Sequence, residues 1–274
     1  MRKIIRKLVT IELSWKFLQF FYNLFYRFKF EKDLIQIEIK NNEMAQREAV
    51  LKKKFSSLTV ADGLFKGMVY PDFTAYGSAI FPKLLGTYES ELYFEVEQLL
   101  KNNYKYIIDI GCAEGFYAVG TARLSPSSII LAYDINEKAI SFCKQMAQLN
   151  NVSNIKFGDF CSQDTLRELD FGNKSLIICD CEGYEKELFD KSISSSLKKC
   201  DILIELHDLY DETISPSILK EFSSTHDAKF IYSENTFEKI RKINSLNDVS
   251  DNDVKAFFNE RTGIMRWVIL TSKV

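Results

Sequence analysis

The chain has 274 residues, 46% of them apolar, which is ample material for one large domain or for a domain with an appendage. Its net charge of −2 argues against a duplex-binding protein, because phosphate contacts need concentrated Lys and Arg, so no nucleic-acid partner is expected. Two histidines, and six cysteines without a C-x-x-C pair, argue against a zinc site. The cysteines fit a reducing, cytoplasmic setting, and the first apolar stretch lacks a secretory cleavage site.

Residues 1–60 read as a basic, aromatic helical appendage. Arg2, Lys3, Arg6, Lys7, Lys16, Arg27 and Lys29 face a single acid, Glu12, before position 30. Aromatic residues crowd the stretch from Trp15 to Phe30, but no apolar run reaches the 18 or so residues that a membrane-spanning helix needs. Lys3, Lys7, Thr10 and Ser14 share one helical face, whereas Glu12, Lys16, Gln19, Asn23 and Arg27 share another. The polar stripe therefore changes sides near position 12, which predicts two short helices or a break. Two readings of residues 1–30 stay open: contact with an anionic membrane surface, which would place the protein at the inner face of a membrane, or packing on protein, including a second copy of the chain. Residues 43 to 58 continue as a charged helix, and 61–85 read as a linker or lid.

From residue 86 to 274 the pattern is that of an α/β domain. Tyr106 to Ile110 is a short apolar run that stops at Gly111, and Phe116 to Arg123 then reads as a helix. Gly111 and Gly115 allow close backbone approach at a strand's carboxyl end, where open α/β sheets bind nucleotides. The spacing G-x-x-x-G departs from the dinucleotide fingerprint, and Glu114 places a carboxylate in the turn, which suits a cationic ligand better than a pyrophosphate. A second strand, Ile129 to Tyr133, ends in Asp134, about 20 residues beyond the first glycine, where an acid binds a ribose diol. Asn136 to Leu149 has helical apolar spacing. Further strands run from Asn154 to Phe157 into Asp159, from Ser175 to Cys179 into Asp180, and from Asp201 to Leu206 into His207. Each of these five tips carries an acidic residue or His, and random scatter would not put them all on one edge. Ala228 to Tyr232 and Arg266 to Thr271 read as two more strands, joined by a long connection, Ser233 to Ile264. This connection holds Lys239, Arg241, Lys242 and Arg261 and reads as a substrate-facing insertion. His226, in a polar Ser-Ser-Thr-His turn, is expected at the surface.

On these residues the chain resembles a SAM-dependent methyltransferase with a Rossmann-like fold, most of all the FkbM-type family, which typically O-methylates sugars. The resemblance covers roughly 86–274. It rests on Ile108-Asp109-Ile110-Gly111-Cys112-Ala113-Glu114-Gly115 and, more specifically, on Asp180-Cys181-Glu182-Gly183-Tyr184-Glu185, which is similar to that family's Asp-Val-Glu-Gly-x-Glu. Glu205-Leu206-His207 fits its Glu-x-His on the fifth strand, and Gly86 to Leu92, with Glu89, looks like the segment that caps the cofactor pocket in relatives. Cys112, Cys179 and Cys181 depart from the residues commoner there. The resemblance implies a seven-stranded sheet of five or more parallel strands and a terminal antiparallel hairpin.

S-adenosylmethionine is then the expected cofactor. Asp134 takes the ribose hydroxyls, Asp159 the adenine edge, and Gly111 and Gly115 admit the methionine moiety. Asp109 or Glu114 reaches its ammonium, and Glu89 and Asp180 complete the cofactor set. Methyl transfer needs an aligned nucleophile, and a sugar hydroxyl needs a base or a metal to activate it. His207 is the candidate base, with Asp180 and Glu182 as further catalytic candidates. In a competing view Asp180 with Glu205 or Asp208 binds Mg²⁺, and His207 only orients them. The expected acceptor is a glycan or another hydroxyl-bearing molecule. A small-molecule or lipid hydroxyl is one alternative, and a non-catalytic scaffold acting through residues 1–60 is another. Base methylation of nucleic acid is disfavoured, since Asp180-Cys181-Glu182-Gly183 stands where those enzymes carry Asn/Asp-Pro-Pro-aromatic.

Overall fold

No Gly or Pro precedes Gly63, so nothing in the first sixty residues breaks a helix by backbone chemistry. In the computed structural model, which describes residues 2–9, 12–169, 171, 174–261 and 263–274, this stretch forms α1 (Arg2–Val9) and α2 (Glu12–Lys54). The break expected near position 12 falls beside Thr10 and Ile11. Thr10 and Ile11 lie outside the described residues. The second helix is far longer than the short one predicted, because apolar residues on several sides of it hide the helical period. Two compact units result, Met1–Lys54 and Phe55–Val274.

The second unit takes in residues 61–85, read above as a linker or lid. Thr59 and Val69 form an antiparallel bridge, and Phe65, Met68 and Tyr70 are buried. The short helix α3 (Ile80–Leu85) is buried throughout and ends at Gly86 in the left-handed region. There follow α4 (Tyr93–Leu100), β1 (Tyr106–Ile110), α5 (Phe116–Leu124), β2 (Ile129–Tyr133), α6 (Glu137–Leu149), β3 (Ile155–Gly158), α7 (Gln163–Glu168), β4 (Ser175–Cys179), α8 (Glu185–Leu188), α9 (Lys191–Ser194), β5 (Cys200–Leu206), α10 (Ile214–Phe222) and β6 (His226–Tyr232). The chain continues through α11 (Thr236–Arg241) and α12 (Asp251–Phe257) to β7 (Arg266–Ser272).

The seven strands form one sheet in the order β3-β2-β1-β4-β5-β7-β6. The first five are parallel, and β7 runs antiparallel to both β5 and β6. Every residue of β4 and β5 is buried, which is why these strands read as unbroken apolar runs. The chain leaves β1 in one direction along the sheet for β2 and β3 and returns on the other side for β4. The switch point between β1 and β4 opens a crevice at the strands' carboxyl ends. Asn136 and Ser162 cap α6 and α7 with their side chains and so fix where those helices leave the crevice.

Two expectations are corrected. The connection 233–264 is not an open insertion: Asn235 and Ser250 cap α11 and α12, and Ile240, Leu246, Val254 and Phe258 are buried. Its cation Lys239 is buried too, paired with Glu91 and Glu260 at 3.0 Å each, so it does not face a substrate. His226 is buried rather than on the surface. Its Nε2 lies 2.8 Å from the Cys200 carbonyl, and burial lowers its pKa.

Candidate active site

The tips of the first four strands line a cavity of about 510 Å³, roofed by Tyr76, Gly77 and Ser78 and closed by Tyr88 and Glu89. A volume of this size lies within the range of small-molecule and cofactor sites. Asp109, Gly111, Asp134, Asp159, Asp180, Glu182 and Glu89, all expected from the sequence, stand on its wall.

Asp134 is held rigidly. Its carboxylate accepts the backbone N–H of Ala113 at 2.8 Å and that of Asn136 at 2.7 Å, which ties the β1 and β2 turns together and leaves further lone pairs toward the cavity. Asp159 accepts the N–H of Phe160 at 2.7 Å. Asp109 is buried with Oδ2 unpartnered, and its pKa is pushed up to about 8, chiefly by burial and then by the charges of Asp180 and Asp134. Asp180 is raised to about 7, again mainly by burial and by Glu89, against the opposing charges of His207 and Arg261. A cation in the cavity would favour the ionised form of both carboxyls and be held by it.

The structure does not bring Glu114 or Gly115 to that wall. Glu114 is fully buried, paired with Lys83 and accepting the N–H of Tyr76 at 3.0 Å, so it anchors the roof. A side chain at Gly115 would collide with Cys143 of α6, so the residue serves helix packing. Gly111 lines the cavity, but what demands glycine there is the backbone: φ is +80°, and a Cβ would strike the Asp180 carbonyl across the β1–β4 switch. Glu89 reaches the cavity with both oxygens committed, one to Arg261 and one to the Tyr117 hydroxyl.

Beside the cavity, β5 presents Glu205 and His207 on one face. His207 Nδ1 lies 2.6 Å from Oε1 of Glu185, which is fully buried at the start of α8. Its Nε2 lies 3.6 Å from Asp180 and 3.5 Å from Glu182, and the Tyr210 ring stacks on the imidazole with centroids 5.7 Å apart. Burial works to lower the His207 pKa, but the hydrogen bond from Glu185 and the charges of Asp180, Glu185 and Glu182 outweigh it and leave the group above its ordinary value.

Of the expected metal set, Asp180 and Glu205 come together and Asp208 does not. Asp208, in the turn two residues past β5, instead accepts from Ser215 (3.0 and 2.7 Å) and Arg266 (2.9 Å). Among the described residues, Asp180, Glu205 and His207 offer ligand atoms within 4.8 Å of one another, but Glu205 is ion-paired with Arg261. Arg261 therefore competes with any Mg²⁺ for Glu205.

Sequence reasoning named two residues here without assigning them their roles. Glu185 was visible, three positions after Glu182 in the same motif. Arg261 had no local signal, since it reaches Glu89 and Glu205 from beyond α12.

A doubly wound sheet with an antiparallel final strand, carrying acidic tips around a cation-receptive cavity, defines a SAM-dependent methyltransferase. A family model described as a methyltransferase domain matches residues 101–244, more than half of the sequence, and the chain belongs to that family. No curated protein matches it. Among solved structures it is similar to a putative O-methyltransferase from Klebsiella pneumoniae (12% identity, 66% of this chain and 79% of that one, TM-score 0.48). It is also similar to the O-methyltransferase TomG from Streptomyces achromogenes in complex with SAM (12% identity, 74% and 83%, TM-score 0.46). A third is precorrin-6y C5,15-methyltransferase from Geobacter metallireducens (14% identity, 65% and 88%, TM-score 0.46). None of these three likenesses bears on the acceptor.

Proposed function

We propose that this methyltransferase acts on oxygen, and that its acceptor is a hydroxyl of a glycan or glycosylated molecule. The observation that carries the reading is the buried Glu185–His207 pair. With Nδ1–H donating to the Glu185 carboxylate, the tautomer leaves the Nε2 lone pair directed at Asp180 and Glu182 on the cavity wall. An imidazole held this way accepts the proton of an acceptor hydroxyl at Nε2, and the neighbouring carboxylates stabilise the imidazolium that forms.

S-adenosylmethionine supplies an electrophilic methyl group on a sulfonium. The residues present fit it: Asp134 at the β2 tip for the ribose hydroxyls, Asp159 for the adenine edge, and the unpartnered Oδ2 of Asp109 for the ammonium. The sugar preference is supported by Tyr210, exposed beside the Glu182 carboxylate. An aromatic face next to a carboxylate suits a ring with C–H faces and hydroxyl edges. Asp180 through Glu185 and Glu205-x-His207 support an FkbM-type assignment within the family. Six free cysteines, with Cys179 and Cys181 sulfurs 3.4 Å apart, support a cytoplasmic location.

The test is a transfer assay with methyl-labelled S-adenosylmethionine against glycosides, phenols and lipid hydroxyls, read by mass spectrometry. A methyl ether on a sugar is expected. Transfer to phenols or lipids alone would replace the glycan reading, and tight cofactor binding without any transfer would point to a scaffold.

A further inference from the structure

We infer that the first turns of α2, from Lys16 to Phe30, form a docking element for an anionic lipid bilayer surface. Phe17, Phe21, Phe25 and Phe28 fall on one helical face, and each is at least half exposed. On a helix of a globular domain such a stripe is normally the buried one. Lys16, Gln19, Asn23 and Arg27 form a narrow stripe opposite, interrupted by Phe30, while Lys29 falls beside Phe25, so a broad aromatic surface is edged by basic residues.

Charge selects the occupant. Between residues 16 and 30 the sequence carries Lys16, Arg27 and Lys29 and no acid, and α1 adds exposed Arg2, Lys3 and Arg6. Such a segment is attracted to anionic headgroups, while Phe side chains enter the boundary between headgroups and acyl chains. Tyr22 and Tyr26, both exposed, flank the apolar face, where an amphipathic ring keeps its hydroxyl among headgroups. No described helix is long and apolar enough to cross a membrane, so the geometry is that of a helix lying on the surface. A second copy of the chain fits less well. A coiled coil covers a narrow seam of a and d positions, whereas here aromatic rings extend from Phe20 across to Tyr26, and a fluid boundary can wrap that width.

The experiment uses the full chain with phosphatidylcholine vesicles, with and without phosphatidylglycerol, read by co-sedimentation at two salt concentrations. Binding at least about tenfold stronger to the anionic vesicles is expected, weakening as salt is raised. The variant Phe21→Glu/Phe25→Glu/Phe28→Glu should lose that binding and keep its affinity for S-adenosylmethionine. Should this variant lose the cofactor as well, Arg27→Glu/Lys29→Glu takes its place, with the same expectation for anionic vesicles. Absent or salt-independent binding to anionic vesicles would overturn the inference, as would binding that survives the variants. A lipid-free dimer in sedimentation velocity that the triple variant dissolves would also overturn it, in favour of a second copy.

Discussion

Oε1 of Glu185 lies 2.6 Å from Nδ1 of His207, with both side chains buried. A carboxylate at that distance does two things to an imidazole: it fixes which nitrogen carries the proton, and it stabilises the protonated ring. Since the His207 pKa is raised, the base form grows in as pH climbs through a value above 6.5. The acidic limb of kcat/KM should therefore lie above that point. His207→Ala should lower turnover by about 10²–10⁴-fold and spare cofactor binding. Glu185→Gln should lower turnover and move the acidic limb to lower pH, because the charge that raises the pKa is gone. A limb that stays in place would show that Glu185 does not act on the imidazole.

Asp109 should couple cofactor binding to proton release. Its pKa of about 8 keeps it largely protonated at pH 7, and a nearby cation favours the ionised form. Binding therefore drives the proton off, and affinity should rise with pH until about 8 and then level. Calorimetry at pH 7 in buffers of different ionisation enthalpy measures the released proton directly. Asp109→Asn should abolish both the release and the slope.

Arg261 holds two buried carboxylates at once, Glu89 and Glu205. Removing it leaves both charges buried without their partner, so Arg261→Ala should cost about 3–5 kcal/mol of stability in urea unfolding. The double variant Arg261→Met/Glu205→Gln should recover part of that loss, since one orphaned charge goes with the cation. A single variant as stable as the parent would show that the ion pairs do not persist in solution.

Because Arg261 neutralises Glu205 and Arg266 holds Asp208, chelation should leave transfer unchanged within about twofold. Activity lost with EDTA and restored by Mg²⁺ would instead make Asp180 and His207 part of a metal site.

The sheet was legible because parallel strands buried on both faces must be short unbroken apolar runs, as Tyr106 to Ile110 and Ser175 to Cys179 are. The tips were legible because whatever follows such a run lies at the crevice, which correctly placed Asp134, Asp159 and Asp180. Contacts distant in sequence were not. Nothing near Glu114 announces Lys83, and nothing near Glu89 announces Arg261. Asp208 shows a subtler limit: two residues past the end of β5, the turn takes its carboxylate to Ser215 and Arg266. His226 looked solvated among Ser and Thr, yet it opens β6 and binds the first residue of β5. In α2 the apolar residues crowd several sides, so no single period stands out.

Among the seven strands of the sheet, β7 is made after the others, yet it sits between β5 and β6 instead of at an edge. Until it emerges from the ribosome, β5 presents an unpaired flank of wholly buried-type residues, and Arg261 has not yet reached Glu89. A nascent chain thus completes this sheet only once β7 has emerged, and an exposed strand edge in the meantime invites pairing with other chains. Removing β7 would therefore open the sheet between β5 and β6, where removing an edge strand would only fray a margin.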